Sequence, residues 1–502
     1  MSSSDLEIGS LSTSGKLKAL ILGPILGLIV YFLLPDSYTN AAGQVVPFSH
    51  AGKACLGVTV WMATWWLTEA LPIAATAMLP LVVYPLLQIT TAKQAMSSYA
   101  SGTIFLFMGG FLLAAGIHRW HLDRRIALMT MKLFGTKPNQ LILGLMAATA
   151  MLSAWVSNTA TAAMMVPIAI AVLGVLRSAQ SGEAMTAAEE NFGKSVLLSI
   201  AFSASIGGMA TLIGSPPNGI YARFMEQTYG ISVSFVDWLK VALPVSLLLM
   251  PAAYILLTKI VFPCKLESVP GGKTWVNSEI EKLGPMSRGE KTVLVVFAIT
   301  ALLWIFGPLV RGFEMDGVKP FKALSDSVIA MGGGLLLFII PVDARRGVAA
   351  LDWGTAKEVV SWDVLLLFGG GLTMAAAIQS TGAAALNGAQ AAMLAGTGET
   401  VMMMATATLV EFLTEFTSNT ALAATMMPLI SAAADSLKID PHGLLLTTAL
   451  AASSAFMLPV ATPPNAIVFG TGRLRIIDML KAGFLLNVTA VFVITLVCSV
   501  LG

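Results

Sequence analysis

Two polar strings that could hold ions are each written twice in this chain. Ser157-Asn158-Thr159 opens a run ending at Pro167, and the run returns from Ser418-Asn419-Thr420 to Pro428 with eight of its eleven positions identical. Downstream of each copy stands a second shared string, Gly214-Ser215-Pro216-Pro217-Asn218 in the first case and Ala461-Thr462-Pro463-Pro464-Asn465 in the second. Ser, Asn and Thr favour the position before a helix, and Pro favours its first turn, where the missing N–H costs nothing. Each string therefore predicts a helix start, with free backbone N–H groups and the positive end of the helix dipole. Four such starts, after Asn158, Pro217, Asn419 and Pro464, would bind an anion without any Lys or Arg. The helices that end beside them expose carbonyl oxygens. With Ser153, Ser157, Thr414 and Ser418, those carbonyls are hard ligands for a small cation such as Na+.

One Ser-Asn-Thr is ordinarily a helix cap, and one Pro-Pro-Asn a turn. The duplication in fixed order, inside apolar sequence, is what points to a site, because paired helix interruptions at matched places mark the binding sites of carriers. Composition puts those interruptions in a membrane. Hydrophobic residues make up 56% and charged residues 11% of the 502, and mean hydropathy is +0.81; a soluble domain carries about 25% charged residues. The net charge of +2 gives no reason to expect a nucleic-acid partner. Cys55, Cys264 and Cys498 are too scattered for a metal or disulfide framework and read as small packing residues. The polar N-terminal stretch leads into an apolar run with no small-residue cleavage pattern, so that run is expected to be a retained helix.

A membrane-spanning helix needs about 20 mostly apolar residues. Spans are expected over Leu17–Leu34, Ala54–Ala70, Ile73–Leu87 and Gly102–Ile117, followed by a basic interfacial helix from His118 to Lys137. Asn139–Val175 is too long for one span and carries Ser157-Asn158-Thr159 in its middle. It predicts a re-entrant hairpin (139–175) whose tip is internal, since irregular backbone at membrane depth must be covered by protein or line a cavity. A helix broken at Gly214–Asn218 (192–221) and a span over Val236–Phe262 complete a first unit, 54–263, and a polar connector, 264–290, follows. The second unit, 291–502, repeats the plan. It has spans at Lys291–Pro308, Ser325–Pro341 and Trp362–Ala392, a hairpin at 399–434, a helix broken at Ala461–Asn465 (440–472) and a last span at Ala482–Leu501. Residues 1–53 supply one extra N-terminal helix. The expected fold is an all-α polytopic membrane protein with about 11 transmembrane helices and two re-entrant hairpins.

Each unit makes an odd number of crossings, so the repeat is expected to have inverted topology. Most of the 29 Lys and Arg then face the cytoplasm, as the positive-inside rule asks. The N-terminus is cytoplasmic, the C-terminus outside, and the two hairpin tips meet near the midplane. Three carboxylates, Glu69, Glu411 and Glu415, fall in apolar segments and are candidates for a role at membrane depth; the last two could instead bond the backbone of the second hairpin tip. Gly109-Gly110 and Gly369 to Gly371 read as close helix packing. His118, His121 and His442 lie in polar connectors and His50 just before a span, so no metal ligand set is expected. An intramembrane enzyme would need paired aspartates, a His-Glu-x-x-His or a nucleophile with a nearby base, and the sequence has none of these at membrane depth.

At these residues the sequence resembles the divalent anion/sodium symporter family, which carries dicarboxylates and citrate. The resemblance runs from Ala54 to nearly the end, with both Ser-Asn-Thr copies intact. It implies Na+-coupled symport of C4-dicarboxylates such as succinate, malate and fumarate across the plasma (inner) membrane. The carrier would be a homodimer in lipid whose transport domains move as elevators against a scaffold. Na+ is then co-transported, and no organic cofactor is implied. The family pattern implies one Na+ site at Ser153, Ser157, Asn158 and the backbone of Gly214. A second would use Thr414, Thr417, Asn419 and the backbone of Ala461, although position 417 is often a smaller residue in the family. The substrate carboxylates would lie on Asn158, Thr159, Asn419 and Thr420, with Ser215, Thr462 and Pro463 nearby. Family members that act as exchangers use the same anion site without Na+, so exchange of di- or tricarboxylates is the alternative.

Overall fold

Among the described residues of the computed structural model, eight helices are long and apolar enough to cross a membrane. The structure describes all residues except 1–12, 40–44, 136, 179–185, 265, 267, 270, 271, 316, 317, 384–397 and 438. The chain begins with α1 (Thr13–Leu33), a short antiparallel pair of strands, β1 (Ser37–Thr39) and β2 (Val45–Pro47), and α2 (His50–Thr68). The span expected over Ile73–Leu87 is two short helices, α3 (Ile73–Ala77) and α4 (Leu79–Leu86), which meet at Met78. Pro80 has no N–H to continue the α3 ladder, which is why the segment breaks there. α5 (Ala92–Ser97) then leads into α6 (Gly102–Arg119).

α7 (Leu122–Phe134) follows a left-handed His121 (φ 55) and packs against α8 (Pro138–Ser153). α8 and α9 (Asn158–Ser178) form the first hairpin, and α10 (Ala187–Ala210) and α11 (Pro216–Tyr229) the first broken helix. The break is residues 211–215, so Pro216, Pro217 and Asn218 already belong to the first turn of α11 rather than to the interruption. α12 (Phe235–Ile255) ends in a π-helical segment, Leu256–Val261. The expected polar connector contains a helix, α13 (Gly272–Leu283), because Val276, Ile280 and Leu283 recur on one face.

The second half runs through α14 (Arg288–Gly312), α15 (Asp326–Ile339), a second strand pair β3 (Pro341–Asp343) and β4 (Val348–Ala349), α16 (Trp353–Val359) and α17 (Trp362–Ser380). The far end of the expected Trp362–Ala392 span lies outside the described residues. α18 (Glu399–Thr414) and α19 (Asn419–Leu437) form the second hairpin. α20 (Pro441–Ala452) and α21 (Pro463–Phe469) form the second broken helix, and α22 (Ile476–Leu501) closes the chain. The second break, 453–462, is twice the length of the first, and α21 is only seven residues long.

Lipid-depth helices gain little from burying apolar surface against one another, so close backbone approach and hydrogen bonds must hold them. One such approach is α6 against α15, where a Cβ on Gly109 would stand 2.4 Å from the carbonyl carbon of Ala330. Only glycine allows that contact. α7 is pinned from one side by charge: Arg125 Nε donates to Glu290 Oε1 at 2.6 Å at the start of α14, and its Nη1 to Gly284 O at 3.1 Å. Arg124 Nη2 reaches Glu279 Oε2 on α13 at 2.8 Å. A hydrogen bond from Lys282 and the pairing with Arg124 hold the Glu279 carboxyl below its usual range. The basic helix foreseen after α6 is therefore partly a clamp onto α13 and α14, and this fixes where α8 and the first hairpin begin.

Candidate functional site

The first hairpin turns over four residues, Ala154 to Ser157, between α8 and α9. Ser157 Oγ accepts the N–H of Ala160 at 3.3 Å, an ordinary N-cap that satisfies one of the N–H groups of the first α9 turn. Trp155, inside the turn, stacks on Phe235 and Trp304 with centroid distances of 5.8 and 6.3 Å, which wedges the tip against α12 and α14. Just before the turn, the buried Ser153 Oγ lies 2.7 Å from Asn158 Oδ1 and 2.7 Å from Ala204 O on α10. A hydroxyl has one hydrogen to give, so one of these oxygen–oxygen contacts lacks one. Three oxygens sharing a single hydrogen suit a small hard cation. The approach depends on Gly208, where a Cβ would sit 2.2 Å from Asn158 Oδ1.

The second hairpin repeats this cluster. Thr414 Oγ1 lies 2.7 Å from Asn419 Oδ1 and 3.0 Å from Ala452 O on α20. Thr takes the place of Ser, and both hydroxyl-bearing residues are fully buried. The Pro-Pro-Asn strings repeat a second pattern. Asn218 Nδ2 donates to Gly208 O at 3.0 Å and Thr211 O at 2.8 Å, tying α11 to the loose carbonyl end of α10. Asn465 Nδ2 donates to Ala455 O at 3.3 Å and Leu458 O at 2.9 Å in the same relation. Both asparagines keep a buried Oδ1 with no hydrogen-bond partner among the described residues. The sequence strings thus specify one hydrogen-bonding scheme carried out twice.

The two schemes touch. Ser215 Oγ, at the start of α11, lies 3.2 Å from Ser453 Oγ, at the end of α20. α9 packs against α21 and α19 packs against α11, so each hairpin's second helix lies on the other half's broken helix. Of the four helix starts, that of α21 carries the weakest dipole, since seven residues align few peptide dipoles.

One difference between the halves is large. Four residues before Asn158 stands Ala154, whose carbonyl accepts from the Thr211 hydroxyl. Four residues before Asn419 stands Glu415, fully buried, whose carboxylate replaces that bond with a whole network. Its Oε1 accepts from the N–H of Phe456 at 2.7 Å, of Met457 at 2.9 Å and from Asn487 Nδ2 on α22 at 2.8 Å; its Oε2 accepts from the N–H of Leu458 at 2.9 Å. The longer second break is held open by one carboxylate.

Ser153 and Asn158 are in direct contact, and Gly214 lies against Gly208 O and Ala154 O, where a Cβ would stand 2.6 and 3.0 Å away. Thr414 and Asn419 are in direct contact, whereas Thr417 turns its hydroxyl back to Leu413 O at 3.2 Å. Ala461 sits in the turn closed by Leu458 O at 3.2 Å. Thr159 and Pro463 are exposed, Thr420 is half-buried, and Ser215 and Thr462 are buried. Thr462 caps α21 by accepting from Asn465 N at 3.3 Å, while Ser215 gives up that cap for Ser453.

The carboxylates behave differently from the sequence expectation. Glu69 is an exposed left-handed C-cap of α2 (φ 47), a helix end and not a buried charge. Glu415 bonds the break of the second broken helix, not its own hairpin tip, and Glu411 is fully buried with no partner for either oxygen among the described residues. Sequence reasoning missed Trp155, Gly208, Asn487 and the side-chain roles of Asn218 and Asn465. An aromatic inside a polar turn was the available signal for Trp155, and the duplication itself for the two asparagines.

An all-helical membrane protein with two hairpins, two interrupted helices and paired oxygen clusters at the interruptions belongs to the carrier class of folds. Residues 28–502 match the family model described as the sodium:sulfate symporter transmembrane region. The chain belongs to that family, the divalent anion/sodium symporters. It is 37% identical over 485 residues to the sodium-dependent dicarboxylate transporter SdcS of Staphylococcus saprophyticus, covering 96% of this chain and 91% of that one. It is 38% identical over 486 residues to SdcS of Staphylococcus aureus, covering 97% and 91%. Its fold is like that of the Alcanivorax borkumensis YdaH transporter, with a TM-score of 0.58 over 97% of this chain and 96% of that one at 12% identity.

Proposed function

We propose that the chain is a secondary transporter that takes up C4-dicarboxylates such as succinate, malate and fumarate with inward Na+. The observation that carries this reading is the doubled cluster of buried oxygens, Ser153–Asn158–Ala204 and Thr414–Asn419–Ala452, beside helix starts that carry no Lys or Arg. The SdcS relatives, named as sodium-dependent dicarboxylate transporters, support the same ions and substrate class. Each oxygen cluster takes one Na+. Asn158 and Asn419 each offer an oxygen to Na+ and keep an amide N–H2 for a substrate carboxylate. Thr159 and Thr420 follow in the first helical turns, where free N–H groups and the dipole also favour an anion.

The order of binding follows from charge. A dianion held by dipoles alone is weakly bound, so Na+ enters first, tightens each hairpin tip against its broken helix and offsets the carboxylates. We read the two units as an inverted repeat in a homodimer, with the hairpins and broken helices moving together as an elevator. Succinate uptake into proteoliposomes is expected to collapse when Na+ is replaced by K+. Uptake that persists in K+ and requires internal dicarboxylate would mean exchange instead of symport.

A further inference from the structure

A membrane-facing crevice of about 610 Å³ opens between the end of α12 and the start of α22. It is lined by Ile260 and Val261 of the π-helical segment, by Met457 of the second break, and by Leu480, Lys481, Phe484 and Leu485 of α22. Ile260, Phe484 and Leu485 are 57, 48 and 38% exposed, so the surface is apolar and left uncovered by protein. Leu485 is one helical turn, about 6 Å, deeper into α22 than Lys481. The crevice therefore runs from a charged rim into apolar depth.

The charges at the rim are unevenly matched. Asp478 is taken by Arg475, at 3.0 Å, and by Lys194, at 3.4 Å. Lys481, on the lining, and Lys259, the residue before Ile260, are both exposed and form no ion pair or hydrogen bond among the described residues. An ammonium group on the lining of an apolar slot at a membrane-helix terminus, with a second beside Ile260 in the chain, matches an anionic headgroup above an acyl chain.

We propose that this crevice is a binding site for an anionic phospholipid, with its phosphate on Lys481 and one acyl chain against Ile260, Phe484 and Met457. The presence of Met457 in the lining gives the site a consequence. Met457 is the middle of the three residues whose N–H groups Glu415 holds. A bound chain packs on the outer side of the 453–462 break, and its occupancy slows the opening of that segment. This inference rests on the fold and not on the transported substrate.

The test uses full-length protein carrying Ile260→Cys labelled with bimane, reconstituted with brominated phosphatidylglycerol or brominated phosphatidylcholine. Phosphatidylglycerol should quench the label at several-fold lower concentration, and Lys481→Gln combined with Lys259→Gln should remove that preference while leaving the melting temperature unchanged. Deuterium exchange at 453–462 should be slower in phosphatidylglycerol than in phosphatidylcholine. Equal quenching by the two lipids in the labelled parent, or an undiminished preference in the double glutamine variant, overturns the site. Exchange at 453–462 that is the same in both lipids overturns the coupling.

Discussion

Replacing Glu415 by Gln isolates the feature that most distinguishes the second half of the molecule. The carboxylate accepts three backbone N–H groups and one amide in a fully buried place. Gln keeps a single acceptor oxygen and aims an N–H2 at one end of the fan. If Oε1 remains the oxygen, the Leu458 N–H loses its acceptor, and the bonds from Phe456, Met457 and Asn487 lose their charge assistance. A hydrogen bond to a charged group contributes about 1.5–3 kcal/mol and a neutral one about 0.5–1.5, and an orphaned buried donor costs about 1–3. Relief from burying a charge offsets part of this, leaving a net loss of about 2–4 kcal/mol. The loss should fall on the 453–462 break, raising its deuterium exchange about thirtyfold or more, with smaller change in α8 and α10. Thr211→Val, which removes the single bond serving the same place in the first half, should cost only about 1–2 kcal/mol. Glu415→Gln with wild-type exchange at 453–462, or with a smaller effect than Thr211→Val, would refute the reasoning.

Asn158→Ala and Asn419→Ala should each abolish Na+-dependent succinate uptake while circular dichroism and size-exclusion profiles stay as in the wild type; transport at the wild-type rate by either variant removes that residue from the site. Arg125→Ala strands Glu290, whose side chain is only 8% exposed, and should lower stability by about 3–5 kcal/mol, seen as a large drop in melting temperature in detergent. Glu411→Leu removes a buried carboxylate that has no hydrogen-bond partner among the described residues and should raise stability by about 1–3 kcal/mol; a fall in melting temperature would mean that Glu411 has an interaction essential to the fold.

The interruptions of the helices were legible because they are spelled in Ser, Asn, Thr and Pro, residues whose local preferences override an apolar background. The second helix of each hairpin accordingly starts at the asparagine of its Ser-Asn-Thr string, Asn158 and Asn419. The long-range bonds within the second half were not legible. Glu415 reaches Phe456 and Asn487, far along the chain, and nothing local distinguishes it from Glu411, four residues earlier and without a hydrogen-bond partner among the described residues. The breaks were drawn around the prolines, but proline belongs inside the first helical turn, so the true break at 211–215 precedes Pro216. α13 was hidden by its polarity, since an interfacial helix needs only one apolar stripe.

In the proposed mechanism one oxygen cluster, built twice, holds one Na+ in each half. Equilibrium binding of radioactive Na+ to purified protein tests this directly, at a concentration that just saturates the wild type. Two ions per chain are expected in the wild type, about one in Ser153→Ala and about one in Thr414→Ala. Two ions still bound in either variant, or a single ion in the wild type, would contradict it.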